Sequence, residues 1–309
     1  MTEKNRKLYD MIKENQSLDT IKKELQLTEK QIYRRVRTMI ETGIRIDRDF
    51  YIDGHYQYNI SGDPISNYFE LYTDSLKNEF LMISDTHLAN QLESIESLYA
   101  CYEYAKDHHI HTIFHAGDLI AGDKKQHVWE SLTNRLDQLD YVVNMYPQDP
   151  TIMNYIVFGN HDHISNSKIE IKNFLEHYRS DLVGLGFTTQ LIKINHAWFR
   201  MNHMRKVKLQ KEDYITFNGH FHHYGLTIEN DKISCTVPTL SNISTSTIHT
   251  PSMLHVIFDE TNQLSVEIKQ IAFTPKPVVK VSAKIPIDAI DTYNQRLEKH
   301  YKIKRGELC

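Results

Sequence analysis

From residue 78 onward, short apolar runs alternate with helical patterns, and this alternation constrains the fold more than any other feature of the chain. Runs at 80–83, 112–115, 155–158, 197–201 and 214–217 have strand length, while helical spacing fills 92–108, 124–143 and 168–179. Strands separated by helices imply an α/β sheet whose connections lie on its faces. Runs at 235–237 and 253–258 read as later strands, the second paired with 263–271. Thr274-Pro275-Lys276-Pro277 then punctuates a tail, 274–309, with a polar helix expected at 287–302.

The first 60 residues have a different texture. Leu8, Met11 and Ile12 mark one amphipathic helix, and Leu18, Ile21 and Leu25 a second. A third opens on the capping box Thr28-x-x-Gln31, presents Ile32, Val36, Met39 and Ile40 inward, and stops at Gly43. Asp53-Gly54 between two β-prone runs predicts a hairpin. Three helices and a hairpin read as a small winged helix-turn-helix domain over 1–60. Ser61-Gly62-Asp63-Pro64 opens a linker, 61–77, ahead of an α/β domain at 78–273.

Each of five polar motifs falls at the carboxyl end of an expected strand or just beyond it, where open α/β sheets gather their ligands. They are Ser84-Asp85-Thr86-His87, Gly117-Asp118, Gly159-Asn160-His161-Asp162, Asn202-His203 and Gly219-His220-Phe221-His222. Any one of them is an ordinary loop sequence. All five in this order form a ligand set. Residues i and i+2 of an extended segment point the same way, so Asp85 with His87, and His220 with His222, can each grip an ion. Asp118 offers two oxygens able to bridge two cations. Asn160 adds a neutral oxygen and His203 a nitrogen. Mixed nitrogen and oxygen donors without thiolate suit Mn first, with Fe, Zn or Co as alternatives, over Ca or Mg.

In these motifs the chain resembles the calcineurin-like metallophosphoesterase superfamily, over about residues 80–225. The resemblance implies a double β-sheet sandwich flanked by helices, with a centre of two divalent transition metal ions at one end. It implies that Asp85, His87 and His222 hold one ion, that Asn160, His203 and His220 hold the other, and that Asp118 bridges them. His161 would sit over the substrate and help the leaving oxygen depart, with Asp162 orienting it. The implied reaction is in-line hydrolysis at phosphorus without a covalent enzyme intermediate.

His108, His109 and His111 read as a solvated surface cluster, and His115 as a packed strand residue. His163, His223 and Asn90 lie near enough to the motifs to be weighed as phosphate contacts.

Substrate class rests on the N-terminal domain. Lys30, Gln31, Arg34, Arg35 and Arg37 lie on the third helix with no acid between Lys30 and Arg37. In a helix-turn-helix that element enters the major groove. Residues 1–60 carry 12 Lys and Arg against 10 Asp and Glu, so the domain is barely basic and a protein-interaction role stands as the alternative. The reading adopted is a phosphodiesterase acting on DNA, a nuclease delivered to duplex by its winged helix. The alternative is a phosphodiesterase or phosphatase for small molecules or cyclic nucleotides, whose winged helix serves regulation or a homodimer. A transcription regulator that uses the metal domain as a sensor is disfavoured, because Asp118 and His161 are both present.

The net charge of −4 argues against a protein that coats nucleic acid over its whole surface. Three scattered cysteines, Cys101, Cys235 and Cys309, make neither a disulfide framework nor a thiolate site. No apolar run approaches the roughly 20 residues that cross a bilayer, and the expected location is the cytoplasm.

Overall fold

A computed structural model describes residues 2–41, 46–50, 56–60, 68–122, 134–162, 171–203, 215–229, 232–243, 250–261, 264–274 and 277–287. Outside these fall the Asp53-Gly54 turn, the break at 61–64, the first part of the helix expected at 124–143, His163, Cys309 and nearly all of the expected 287–302 helix. The chain divides into two compact units, one reaching Tyr68 and one beginning at Phe69.

The first unit holds α1 (Glu3–Lys13), α2 (Leu18–Leu25), α3 (Glu29–Glu41), β1 (Ile46–Phe50) and β2 (Tyr56–Ile60). Thr2 and Ser17 cap the first two helices through their side-chain oxygens. The capping box closes in both directions at α3. The amide of Thr28 donates to Gln31 Oε1 at 2.8 Å, and the amide of Gln31 donates to Thr28 Oγ1 at 3.3 Å. Leu8, Ile12, Ile21, Ile32, Val36 and Met39 bury one face of each helix in a common core, joined by Ile46 and Tyr58 from the antiparallel strand pair.

The second unit is an α/β sandwich of two sheets with helices. Its elements are β3 (Tyr68–Leu71), β4 (Lys77–Ile83), α4 (Ile95–Asp107), β5 (Thr112–His115), α5 (Arg135–Met145), β6 (Met153–Phe158) and α6 (Ile171–Tyr178). After these come β7 (Leu182–Phe187), β8 (Thr189–Ile194), β9 (Ala197–Asn202), β10 (Ile215–Asn218), β11 (Gly225–Glu229), β12 (Lys232–Thr236), β13 (Ser252–Asp259), β14 (Ser265–Phe273) and β15 (Pro277–Pro286). The larger sheet runs β15-β14-β13-β4-β5-β6-β7 and the smaller β11-β12-β10-β9-β8-β3. Strands β4 to β7 are mutually parallel, as are β9, β10 and β12. Phe80, Phe114, Val256 and Phe258 from the first sheet pack against Phe199, Met201 and Phe217 from the second. Phe80 and Phe199 stack with ring centroids 5.3 Å apart.

Two expectations are corrected. Part of the stretch read as a linker is a strand, since β3 forms an edge of the smaller sheet beside β8. The stretch read as tail likewise begins with a strand, β15, paired antiparallel along β14. Pro277 and Pro286 stand at its ends, and an edge strand tolerates proline because one side of its ladder is unused. No helix among the described residues is long and apolar enough to cross a membrane.

Candidate metal centre

The parallel strands of both sheets deliver their carboxyl ends to one place. Asp85 and His87 follow β4, Asp118 follows β5, and Asn160 and His161 follow β6. From the other sheet His203 follows β9, and His220 and His222 follow β10. The ligand atoms form compact groups in which all lie within 4.8 Å of one another: Asp85, His87 and His222; Asp118, His203 and His220; and His87, Asp118 and His161. Asn160 is half-buried on the turn between β6 and His161.

The backbone is bent to achieve this. Asp85, His87, Asp118, His220 and His222 all have φ between 44° and 81°. That region is costly for residues with a Cβ, and such strain persists where a site is over-determined by its surroundings. Close packing also dictates two of the motif glycines. A Cβ on Gly159 would collide with Asp118 Oδ1 and lie 2.6 Å from His203 Cδ2, and one on Gly219 would strike Ala116 O and Ser84 Oγ.

The hydrogen bonds aim the ligand atoms. His203 Nδ1 donates to Ala116 O at 2.6 Å and His222 Nδ1 to Ile243 O at 3.1 Å, which turns both Nε2 atoms into the cluster. His203 Nε2 lies 3.0 Å from Asp118 Oδ2, and His222 Nε2 lies 3.2 Å from Asp85 Oδ1. Asp85 Oδ2 accepts from Ser84 Oγ at 2.6 Å and from the His220 amide at 2.9 Å. Asp85 Oδ1 and His203 Nε2 meet only other ligand atoms of the cluster, and His220 Nδ1 is buried with no hydrogen-bond partner. Stranded polar atoms of this kind are expensive in a folded protein unless something coordinates them. His87 Nε2 and His222 Nε2 approach to 3.4 Å, an arrangement that a shared cation relieves. The donor set fits divalent transition metal ions.

Charge follows the same logic. Burial works against ionisation of Asp85, yet His203 and the bond from His222 hold it at about 2. Asp118 is held well below the ordinary carboxylate range, since His203 outweighs its burial. Burial presses His87 down to about 3 and His220 to about 4, so both are neutral and ready to ligate. Burial also works against the charge of His203, but Asp118 and Asp85 prevail and raise it to about 10. In the metal-free protein at pH 7 His203 is therefore protonated, and its proton must leave before Nε2 can bind an ion. Loading Mn should release protons from His203 and from His222, whose pKa Asp85 raises against its burial, with apparent affinity rising as pH is raised towards 10. Calorimetry in two buffers of different ionisation enthalpy measures this, and zero release would refute it.

One expected role is corrected. Asp162 does not orient His161: its Oδ1 accepts from the Ile120 amide at 3.0 Å and its Oδ2 from the Gly159 amide at 2.7 Å. His161 Nδ1 instead donates to Ala121 O at 2.6 Å, and its own amide donates to Asp118 Oδ1 at 2.7 Å. Asp162 ties the β5 and β6 loops together. Its pKa rises to about 7, from burial and then the charge of Asp118.

Residues without an assigned role in the motif reading also take part. Ser84 fixes one oxygen of Asp85, and Thr239 Oγ1 donates to the Asp85 carbonyl at 2.7 Å. His115 accepts from the Gly117 amide at Nδ1, so its proton sits on Nε2, 3.0 Å from Thr86 Oγ1. The packed strand histidine thereby braces the first two motif loops. His108, His109, His111 and His223 are exposed, whereas Asn90 is buried.

On α3, Lys30, Gln31 and Arg34 are exposed, and the side chain of Arg37 lies outside the described set. Gln31 spends its amide oxygen on the capping box. Arg35 Nη1 donates to Asn5 Oδ1 at 2.7 Å, tying α3 to α1.

A two-sheet α/β unit with buried histidine and aspartate clusters at the shared carboxyl edge is built to hold divalent ions. The profile of the calcineurin-like phosphoesterase family matches residues 79–299, and the chain belongs to that family. It is a metal-dependent phosphoesterase. Among solved structures, a predicted phosphoesterase from Streptococcus pneumoniae is 14% identical with a TM-score of 0.40, covering 68% of this chain and 98% of its own. An archaeal phosphodiesterase is 14% identical with a TM-score of 0.41, covering 67% and 99%. The phosphoesterase Yfce from E. coli is 13% identical with a TM-score of 0.43, covering 67% and 99%. No curated protein matches the chain.

Proposed function

We propose that this phosphoesterase is a two-ion phosphodiesterase acting on DNA, with α3 of the first unit as its duplex-binding element. When bound, two divalent ions supply Lewis acidity towards the phosphoryl oxygens and towards a water nucleophile. Asp118, whose carboxylate belongs to two of the clusters, would serve both ions; Asp85, His87 and His222 would hold one, and His203 and His220 with Asn160 the other. The Ala121 carbonyl holds a proton on Nδ1 of His161 and so turns Nε2 to the site; in the imidazolium form, Nε2 would give its proton to the departing ester oxygen and leave the neutral Nδ1–H ring.

The observation that supports DNA as substrate is the exposure of Lys30 and Arg34 on α3, whose opposite face is buried through Ile32, Val36 and Met39. Cations on one face of a helix, backed by a core, are what phosphate contacts require. Lys30→Ala with Arg34→Ala should weaken duplex binding and reduce its salt slope by roughly one unit for each phosphate no longer engaged. Turnover of a bis-aryl phosphodiester should stay unchanged, since that substrate needs only the ions and His161. A salt titration and a hydrolysis assay decide it. Unaltered affinity and slope would return α3 to a protein-interaction role, and hydrolysis of a cyclic dinucleotide but not of DNA would favour the small-molecule alternative.

A further inference from the structure

Asn202 and Asn218 close β9 and β10, adjacent parallel strands in which they are register partners. Phe199 and Met201 of β9 and Ile215 and Phe217 of β10 point into the core between the sheets. By alternation the two asparagines project from the other face of the smaller sheet. Both are nevertheless buried, Asn202 completely. Thr189 Oγ1 donates to Asn202 Oδ1 at 2.7 Å, and Asn202 Nδ2 donates to Asn218 Oδ1 at 3.1 Å. Asn218 Nδ2 donates onward to Ser234 Oγ at 3.1 Å and Thr216 Oγ1 at 3.2 Å. This chain of bonds crosses β8, β9, β10 and β12. Turning over either amide alone would set oxygen against oxygen or nitrogen against nitrogen, and the Cys235 carbonyl, which can only accept, receives Asn218 Nδ2 at 3.4 Å and fixes the direction of the ladder.

Burying two amides carries a desolvation cost that an apolar pair would avoid. The next residues along each strand supply a reason. His203 comes directly after Asn202, and Gly219-His220 after Asn218. The His203 amide donates to Thr188 O at 2.8 Å and the Gly219 amide to Asn202 O at 2.9 Å, so the last backbone rung and the side-chain ladder coincide. The two imidazoles stand edge to face with centroids 5.3 Å apart. We propose that Asn202 and Asn218 are positioning residues that lock the ends of β9 and β10 together and so set the spacing of His203 and His220 around the second ion. The inference rests on the two-ion reading above.

Mn titration of purified protein tests it, followed by calorimetry and by the exchange-coupled electron paramagnetic resonance signal of a Mn pair. His220→Ala identifies which binding constant belongs to the second site. Asn202→Ala and Asn218→Ala should each weaken that constant by about 10–100-fold, the range for residues that support metal ligands. The Asp85, His87 and His222 site should hold its affinity, and the coupled signal should fade. The double variant should lose little more than the worse single one, because both changes break the same bond.

A general packing role would lower the melting temperature and weaken both sites in proportion. That outcome, or an unchanged second constant, overturns the proposal. Thr189→Val removes only the hydroxyl donated to Asn202 and keeps the test open should the alanine variants fail to fold. It should weaken the second site alone, by a smaller factor, and no change there counts against the proposal. Wild-type protein that takes up a single ion sinks the two-ion reading and this inference with it. Two ions in the wild type, with both constants intact in the asparagine variants, sinks this inference only.

Discussion

Protein carrying Asp118→Asn should lose divalent ions and turnover together. Asparagine preserves the shape of the side chain and removes the charge that offsets two dications. Asp118 is buried, 3.0 Å from His203 Nε2, and also receives the His161 amide, so its carboxylate is held between the β6 and β9 loops. Residues that merely support ligands cost 10–100-fold in metal affinity, and loss of a bridging carboxylate should exceed that, on the order of 10²-fold or more. Elemental analysis after reloading with Mn, beside turnover of a bis-aryl phosphodiester, gives the answer. Active wild-type protein with one ion or none, or a variant that keeps both ions and full turnover, would remove Asp118 from the bridging position.

His161→Gln should behave in the opposite way, retaining both ions while turnover falls by about 10²–10⁴-fold, the usual loss for a positioned acid. The His161 backbone amide still reaches Asp118 in the variant, so the bridge keeps its support. What disappears is the imidazole held through Nδ1 by Ala121 O at 2.6 Å. The grouping of His161 with His87 and Asp118 allows a rival role, in which His161 is itself a ligand. Metal content separates the two. Ions lost in step with activity would make His161 a ligand, and an unchanged rate would leave it without a part in the chemistry.

The motifs were legible because they are side-chain signals placed by strand ends. The run at 112–115 matches β5 residue for residue, and 197–201 falls one residue short of β9. Signals carried by the backbone were not legible. Ala121 O, which orients His161, leaves no trace in residue type, whereas Asp162 advertises a carboxylate whose oxygens in fact serve two amides. Strand β7 is hidden because Gly184 and Gly186 weaken its β character, and β15 because Pro277 reads as punctuation. On α3 the charge pattern of Arg34 and Arg35 is uniform in sequence, yet Arg35 is bonded to Asn5. A row of cations does not disclose which of them is already engaged.

The carboxyl edge shared by the two sheets has a mechanical consequence. Asp85 and His87 come from the larger sheet and His222 from the smaller, while Asp118 comes from the larger and His203 and His220 from the smaller. On the two-ion proposal each ion would therefore be a rivet through both layers at one end of the sandwich, whereas aromatic and aliphatic packing holds the layers together away from that end. An ion present at a hundredfold excess over its dissociation constant adds about 2.7 kcal/mol to the folded state, and here that increment opposes one motion, the parting of the layers. Metal loading should thus slow amide exchange most steeply next to the motif loops and least at the distal rim, turning a uniformly breathing sandwich into a hinged one.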